Sequence, residues 1–474
     1  MKGYQTVEEM TNGCFEKLRQ FLRKQRQKWI SGEPGDLEGY ERELHSQIQA
    51  IERDLVAAEL RNYDIDAERI KVEGVECRQV GESSERYKTA AGEVQVKRHM
   101  YRPAGRDSRQ VCALELQAGI IEGFYTPLAA RQSAYVVAQM PASSGAALFN
   151  ELGNMTPSIG SLNRLPKKLS ERWEGHRIEW ERQMREVEPV SPEAVTLAIL
   201  LDGVMAPMRP EVAEEPLPAP PIEAPKQPTG PKGYQEVGCG TVSLYNAEGE
   251  RLQTIRYARA PEAGKATLEQ QLLAEARSIF VARPRLRLVK LADGAKANWR
   301  YLSELDVGVP NDQLEIYEIL DYYHACDHLK AALDSVWGEY SPKGKAEFAR
   351  LKTLLKEDDD GITILINHLS YRLRTATGKS QRKMLTKQRA YFRSQRHRMH
   401  YSQYVRLNLP IASGVVEASC KTLVTQRLKQ SGMFWSDPGA QAILTLRSLI
   451  QSNRWESGWE LLRKSYIVPV TILA

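Results

Sequence analysis

Three carboxylates in this chain have the residue types and surroundings of metal ligands. Asp202 follows the apolar run 195–201, and Asp293 follows the largely apolar run 286–292, so each stands at the end of a predicted buried strand. Glu417 is the first acid after the 56-residue segment 361–416, which holds eleven Lys and Arg residues. Asp, Asp and Glu on two strands and a helix would supply oxygen ligands for two divalent ions ~3.5–4 Å apart. We therefore predict two-metal phosphoryl transfer, with these three residues as catalytic and metal-binding groups.

Each of the three residues also has an ordinary structural interpretation. A glycine follows each aspartate, and Asp-Gly after an apolar run predicts a sharp turn at the end of a strand. Glu417 stands four residues before Lys421, which is an ion-pair spacing on a helix, and an acid also suits a helix N-terminus. The acid-free segment before Glu417 favours the metal-binding interpretation over a solvated surface pair.

The positive charge of the chain is concentrated near its end. Residues 361–430 carry a net charge of +13 in a chain whose total is +6, so the remainder sums to −7. Localised basic charge is typical of a nucleic-acid-binding face. The residues predicted to contact DNA in this region are Arg382, Lys383, Lys387, Arg389, Arg393, Arg396, Lys421, Arg427 and Lys429. The tract predicted to bind the DNA backbone also includes Arg372, Arg374, Lys379 and Arg398.

The elements around the two aspartates follow a definite order. A strand ends at Asp202, two further runs in 237–259 predict a hairpin, a helix covers 266–282, and another strand ends at Asp293. Three strands, a helix and a strand in this order are the ribonuclease-H-like topology, and a short strand at 314–320 follows. The proline-rich segment 206–233 predicts an extended, solvated excursion.

The predicted fold class is a multidomain α+β or α/β protein with a ribonuclease-H-like catalytic core. That core covers 193–334 and 406–474, and it is interrupted by a basic helical insertion at 335–405. The Glu417 helix should begin at Ser413, as its N-cap, and end near Gly432.

Three regions are predicted before the core. Residues 1–62 should be helical, with an apolar stripe that serves either as an intramolecular face or as a dimer seam: Leu44, Ile48, Ile51, Leu55 and Ala58. Residues 63–125 predict a small β-rich module. Residues 126–192 predict a helix-turn-helix-like region in which a DNA-reading role and a plain helical corner are equally favoured. Its second helix, 158–173, carries Ser158, Ser161, Asn163, Arg164, Lys167 and Lys168.

Two further constellations have open alternatives. Asp321, His324 and His328 have a spacing that could present zinc ligands on one helix face, although a structural histidine is the commoner outcome. Trp435 is either a core residue, which the sequence favours, or a platform for an unpaired base.

The six cysteines show no CxxC spacing, which argues against a zinc ribbon and fits a reducing compartment. No apolar run is long enough to predict a membrane span.

With these residues in view, the chain resembles DDE-type insertion-sequence transposases of the ISKra group. The stretch from Asp293 to Asp321 and His324 also resembles the C/D-x-x-H element of Mutator-like transposases, although the cysteine cluster that some relatives have near Cys112 is absent. The segments that carry the ISKra resemblance are Leu201–Gly203, Ala292–Ala295, Asp321–Leu329, Ser413–Ala418, Gln426–Met433 and Trp435–Ser436.

The resemblance implies an enzyme that cleaves DNA at the ends of a mobile element and joins them to target DNA. It implies two Mg²⁺ or Mn²⁺ ions held by Asp202, Asp293 and Glu417, with His324 beside the active site. The implied partners are double-stranded terminal inverted repeats and target DNA, bound by a homodimer or larger assembly with no membrane involved. The expected location is the cytoplasm, with the prokaryotic nucleoid. Two alternatives remain: a nuclease of the same fold without strand transfer, and a non-catalytic DNA-binding protein derived from a transposase.

Overall fold

The computed structural model describes residues 7–33, 35–103, 109–209 and 233–473. It is a mixed α/β structure with two five-stranded sheets. The chain divides into two compact units, the first comprising 1–180 and 455–474 and the second 181–454. Most of the predicted proline-rich excursion, 210–232, lies outside the described residues.

The first unit begins with two helices that pack side by side. Phe21 on the first stacks on Tyr40 of the second, with ring centroids 5.6 Å apart. Asp36 caps the second helix by accepting a hydrogen bond from the Gly39 amide. The elements that begin before residue 181, where the second unit starts, are α1 Val7–Ile30, α2 Leu37–Asn62, β1 Arg69–Val72, β2 Val75–Thr89, β3 Gly92–Pro103, β4 Val111–Cys112, α3 Ala113–Ala118, α4 Pro127–Gln139, α5 Ala142–Leu152 and α6 Ile159–Val187.

The helix-turn-helix-like prediction needs correction in its second helix. Helix α6 does not end near Trp173 but continues to Val187, so it is much longer than a recognition helix requires. Ser161 is buried, where its hydroxyl accepts a hydrogen bond from Lys88 Nζ at 2.9 Å. Because that side chain is already engaged inside the unit, the prediction that it contacts base edges is wrong.

The second unit is built around the sheet that bears the two aspartates. Its elements are β5 Thr196–Pro207, β6 Tyr234–Tyr245, β7 Arg251–Arg259, α7 Ala266–Ala282, β8 Arg287–Ala292, α8 Lys296–Glu304, β9 Ile316–Leu320, α9 Tyr322–Trp337, α10 Pro342–Glu357, α11 Gly361–Thr375, α12 Lys379–Gln395, α13 Tyr401–Arg406, α14 Gly414–Ser419, α15 Gln426–Leu428 and α16 Asp437–Gln451. Short 3₁₀ turns occupy Ala263–Lys265, Asn311–Gln313 and Arg396–Arg398.

The strand order of this sheet is β7-β6-β5-β8-β9. Strands β5, β6 and β7 are antiparallel neighbours, whereas β8 pairs parallel with β5 and β9 pairs parallel with β8. The predicted order of three strands, a helix and a strand is therefore confirmed. Strands of a parallel sheet have continuous apolar sequences because both of their faces are covered. Strand β5 agrees with this, since it is buried from Thr196 through Leu201.

The predicted turn is wrong after Asp202 but is confirmed after Asp293, where β8 ends at Ala292 and the chain bends at Gly294 before α8. Strand β5 continues through Asp202 and Gly203 to Pro207, paired with β6 along its length. Neither Gly203 nor Gly294 has a positive φ, so backbone freedom is not what these positions require. At Gly294 the reason is close packing, because a Cβ there would lie 2.6 Å from a ring carbon of Tyr391.

The segment that carries Glu417 also differs from its prediction. Ser413 precedes α14 but its side chain makes no capping bond to the helix backbone. The helical segment runs without a break from Gly414 to Leu428, with Ser413 at the predicted N-cap position, but it ends before Gly432 and contains a π-helical turn, Cys420–Thr425, between α14 and α15. Single π turns inside helices are frequent at functional sites.

The chain ends in the first unit, with α17 Trp455–Lys464 and β10 Val470–Ile472. Strand β10 pairs antiparallel with β1, which completes the sheet order β10-β1-β2-β3-β4. The assignment of all residues 406–474 to the catalytic core is therefore wrong for the final twenty. Across the ranges given above, no helix combines the length and apolar character that a membrane span needs.

Candidate active site at the edge of the second sheet

Asp202 and Asp293 lie side by side at one edge of the second sheet. Leu200 of β5 pairs with Leu291 of β8, and the two aspartates follow two residues later in the same register. The Asn298 side-chain amide links the two strands, because it donates to Asp293 Oδ1 at 3.2 Å and to the carbonyl of Leu201, the residue before Asp202, at 3.4 Å. The predicted neighbourhood of the two aspartate strands is confirmed.

The electrostatics of this pair favour a bound cation. Burial raises the pKa of Asp202, and the negative charge of Asp293 raises it further, while the Gly203 amide and the Lys265 ammonium act in the opposite direction. Two neighbouring carboxylates in a partly buried position repel each other, and a divalent cation between them would remove that repulsion. Mg²⁺ is commonly held by one or two carboxylates together with substrate phosphates, so the pair fits this metal.

Glu417 lies one helical turn from Cys420, the residue of its helix that contacts Asp202. Its side chain is exposed, and its Oε1 accepts a hydrogen bond from the Ser413 hydroxyl. Cys420, three residues later and so on the same helix face, donates through Sγ to Asp202 Oδ2 at 3.6 Å. In the part of the chain that the structure describes, no group of three or more His, Cys, Asp or Glu residues is placed to hold a metal ion. The convergence of Glu417 with the aspartates stays a prediction.

The packing of the Glu417 segment on the core agrees with the sequence. Val416, Leu423 and Val424 are buried in the same apolar core as β5, as the prediction required. Cys420 also contacts Cys239, the β6 residue that pairs with Asp202, so this helix lies against the strands that carry the site. The helix is therefore positioned by its apolar residues with the Glu417 face next to Asp202.

Asp321 forms a third carboxylate at the same sheet edge, but its oxygens are already bonded. It follows β9 in register with Asp293 and is buried. Oδ1 accepts from the His324 amide and so caps α9, while Oδ2 accepts from the Ser413 amide. Because Ser413 in turn donates to Glu417, Asp321 connects the end of β9 to the position of Glu417.

We expect Asp321→Asn to displace the start of α14. Asparagine keeps one carbonyl oxygen, which can still accept the hydrogen bond that caps α9. The second oxygen is replaced by an NH₂ group, which cannot accept a hydrogen bond from the Ser413 N–H. Leaving a buried donor unsatisfied costs about 1–3 kcal/mol, so the free energy of unfolding should fall by this amount. Hydrogen exchange at the Ser413 amide should accelerate. Ser413→Ala is the control, since it removes only the hydroxyl; equal Ser413 amide protection in Asp321→Asn and the parent would contradict the role.

The histidines near Asp321 do not form the zinc set considered from the sequence. The His324 and His328 rings lie 5.1 Å apart, but His328 Nδ1 is within 2.6 Å of Gln388 Oε1 and both Asp321 oxygens bond backbone amides. Burial lowers the pKa of His328, which favours a neutral ring. A role for the half-buried His324 in cleavage stays a prediction.

Most of the residues predicted to bind DNA have exposed side chains. In the second unit these are Arg382, Lys383, Lys387, Arg393, Arg396, Lys421 and Lys429, whereas Arg389 is half-buried. In the first unit Arg164 and Lys167 are exposed, and Lys168 pairs with Glu171 at 2.7 Å. These exposed side chains can reach phosphates, and their DNA contacts stay predictions.

Three residues proposed for DNA contact from the sequence are engaged inside the protein. Arg427 is buried beside Arg447, and burial together with that second positive charge lowers its pKa to about 10. Trp435 donates its indole N–H to the Leu428 carbonyl at 3.0 Å and packs on the core, which agrees with the favoured interpretation. Arg398 pairs with Glu318 at 2.8 Å and lies over the Trp299 ring. Because these contacts already hold them, direct DNA binding by these residues is not supported.

Sequence reasoning missed Tyr391 and Asn298. Tyr391 on α12 stacks on His328 with ring centroids 3.7 Å apart, and its pKa is raised by burial and by the charges of Asp293 and Asp321. Asn298 lies in the first turns of α8 and holds Asp293. An isolated Tyr or Asn in a helical segment carries no pattern of its own, so only the folded chain reveals these positions.

Comparison with known proteins gives little further information. No protein-family model matches the chain, and no curated protein matches it. Among solved structures, a Drosophila P element transposase strand transfer complex is similar with a TM-score of 0.35 and 11% sequence identity, covering 69% of this chain and 92% of that chain. A superposition with a TM-score below 0.5 supports no conclusion about this chain's function.

Proposed function

We propose that this protein is a DDE-type transposase, which cleaves DNA strands at element ends and joins them to target DNA. The observation that carries the proposal is the placement of Asp202 and Asp293 at one register on adjacent parallel strands. The exposed basic residues of α12 belong to the same unit and offer a surface for a polyanion. The ISKra group is the finer family assignment that we propose from the sequence motifs.

We propose a ribonuclease-H-like core for the second unit. Three antiparallel strands followed by two parallel ones, in the order β7-β6-β5-β8-β9, support this assignment. The helices from α10 to α13 stand between β9 and the Glu417 segment, where the sequence predicts an insertion. The remaining domain boundaries predicted from the sequence are part of the same proposal.

Asp202 and Asp293 would hold Mg²⁺ or Mn²⁺, and Glu417 would complete the ligand set by a change of side-chain conformation towards Asp202. The bound ions supply charge neutralisation at the scissile phosphate and a lowered pKa of an attacking water. Cleavage forms one P–O bond with water and breaks the bond to the 3′ oxygen, which leaves as a hydroxyl. That hydroxyl then attacks a target phosphodiester, again with one P–O bond formed and one broken. Action as a dimer or larger assembly on paired ends is part of the proposal.

The decisive experiment incubates the purified chain with Mg²⁺, labelled DNA that ends in the terminal inverted repeats flanking its gene, and a plasmid target. Labelled ends joined covalently to plasmid would support the transposase. Cleavage without joined product would assign the chain to the nuclease alternative. Binding without cleavage in either Mg²⁺ or Mn²⁺ would reject both enzymes in favour of a DNA-binding protein.

The exposed lysines of α12 are expected to bind the DNA backbone without reading its sequence. Lys383→Glu with Lys387→Glu should weaken binding to any duplex by a similar factor, because phosphate contacts carry no sequence information. The slope of log K against log salt should become shallower by about 0.9 for each phosphate that the variant no longer neutralises. The matched control is Lys343→Glu with Lys345→Glu on α10, which has the same charge change at two exposed positions. Titrations in which both double variants behave alike would reject a specific role for α12.

A further inference from the structure

Tyr391 reaches from α12 to the carboxylate edge of the second sheet. Its ring lies flat on His328, with an interplanar angle of 16°. The ring also lies close to Gly294, where an added Cβ would be 3.1 Å from the hydroxyl oxygen. The glycine that follows Asp293 therefore leaves room for this phenol. These ring contacts place the hydroxyl beside Gly294, the residue that follows Asp293.

The hydroxyl itself has no protein partner. Its oxygen is buried, and among the described residues nothing hydrogen-bonds to it. A buried polar group without a partner is uncommon because it loses its bonds to water without replacement. Phenylalanine would make the same ring contacts without that cost. The retained hydroxyl therefore indicates a partner that is bound only during function.

We propose that the Tyr391 hydroxyl donates a hydrogen bond to a non-bridging oxygen of the scissile phosphate bound at Asp202 and Asp293. This proposal rests on the proposed function and adds a catalytic residue to it. A phenol is a donor at neutral pH, and it cannot be satisfied as one by the carbon atoms of His328 or Gly294. The non-bridging oxygens gain negative charge as the P–O bonds change, so a fixed donor stabilises the transition state more than the ground state. No proton is transferred, and the tyrosine is unchanged at the end of each step.

The geometry of α12 supports a phosphate as this partner. Lys383 and Lys387 are exposed and precede Tyr391 by two turns and one turn, at the four-residue spacing that places side chains on one helix face. A DNA backbone that contacts these lysines would follow the helix towards the hydroxyl. The acidic neighbours Asp293 and Asp321 exclude an anion without its own cation, which fits a phosphate that arrives with a divalent metal.

Tyr391→Phe tests the proposal, because it removes only the oxygen. We expect the single-turnover cleavage rate to fall by about 10²-fold, the usual effect of deleting one transition-state donor. The dissociation constant for DNA should not change, and the melting temperature should be equal or higher because an unsatisfied group is gone. Tyr404→Phe is the matched control, since its buried hydroxyl already donates to the Glu318 carbonyl at 3.2 Å. That variant should lose some stability and keep the parent cleavage rate.

A sulfur substitution at the scissile phosphate identifies the oxygen involved. The cleavage rate of each phosphorothioate diastereomer is measured for the parent and for Tyr391→Phe. Sulfur is a poor acceptor, so one diastereomer should slow the parent but cause a much smaller additional loss in Tyr391→Phe. Equal sulfur effects on the two proteins for both diastereomers would overturn the proposed hydrogen bond.

The outcomes separate this proposal from the proposed function. If the parent protein cleaves no DNA, the proposed function fails. If the parent cleaves and Tyr391→Phe cleaves equally fast, only the role of Tyr391 fails. If Tyr391→Phe is slow but also loses stability and DNA affinity, the hydroxyl has a structural role and the proposal is overturned.

Discussion

Asp293→Asn is expected to abolish Mg²⁺-dependent strand cleavage while the protein stays folded and binds DNA. The substitution keeps the shape of the side chain and its bond from Asn298 but removes the charge that would hold the metal. Metal stabilisation of the transition state is worth several kcal/mol. At 1.36 kcal/mol for each tenfold change, the rate should fall by about 10³-fold or more. Single-turnover cleavage of a labelled end, beside a gel-shift titration, measures both quantities.

Asp202→Asn should abolish cleavage as Asp293→Asn does. At pH 7.5 it should also make the metal-free protein more stable than the parent. Burial raises the pKa of Asp202, so the folded state holds this proton more tightly than the unfolded state. The resulting stabilisation is present below the unfolded pKa, about 3.9, and is lost as the pH rises through the higher folded pKa. At pH 7.5 the ionised carboxylate therefore disfavours folding, and asparagine should raise the metal-free melting temperature. Added Mg²⁺ should stabilise the parent more than this variant.

Glu417→Gln completes the test, since it should lose cleavage only if the residue joins the aspartates during the reaction. Asp306→Asn, at an exposed carboxylate paired with Arg277, is the matched control and should cleave normally. Normal cleavage by Glu417→Gln would show that this acid is a surface residue and remove the third member of the proposed triad. Normal cleavage by Asp293→Asn would refute the metal site itself.

Arg454→Met is expected to cause the largest loss of stability in the second unit. The Arg454 guanidinium donates to both carboxylate oxygens of the buried Glu275, at 2.6 and 2.9 Å, and also to Glu188. The hydroxyl of Tyr257 completes the cluster by donating to Glu275 at 2.7 Å. Removing the arginine leaves Glu275 as an uncompensated buried charge, which costs about 3–5 kcal/mol. Denaturant unfolding of the parent and the variant measures this difference.

The control for this prediction is Arg277→Met. Arg277 pairs with Asp306 at 3.2 Å in an exposed position, where an ion pair contributes about 0–1 kcal/mol. A loss of similar size in both variants would show that the buried cluster contributes no more than a surface pair. A large loss in Arg454→Met alone would identify the cluster as a main stabiliser of the unit.

Local patterning was sufficient to predict much of the second sheet. The apolar runs before Asp202 and Asp293 indicated the positions of β5 and β8, and the hairpin and helix between them are present. Strand β9 begins at Ile316, two residues later than predicted. These features depend on neighbouring residues in the chain and on the requirement that both faces of a parallel strand be apolar. The buried face of the Glu417 helix was predicted from its own apolar residues, Val416, Leu423 and Val424.

Tertiary structure alone decided the partners of the site. Asp321 bonds the Ser413 amide, and Tyr391 enters the space beside Gly294, through contacts between residues far apart in the chain. Strand β10 joins β1 across nearly the whole sequence, and Arg427, which resembled a DNA-binding residue, is buried beside Arg447. A residue's charge can be predicted from the sequence, but whether that charge meets solvent or the interior depends on packing. The sequence therefore determined which side chains could do chemistry, and the fold decided which of them meet.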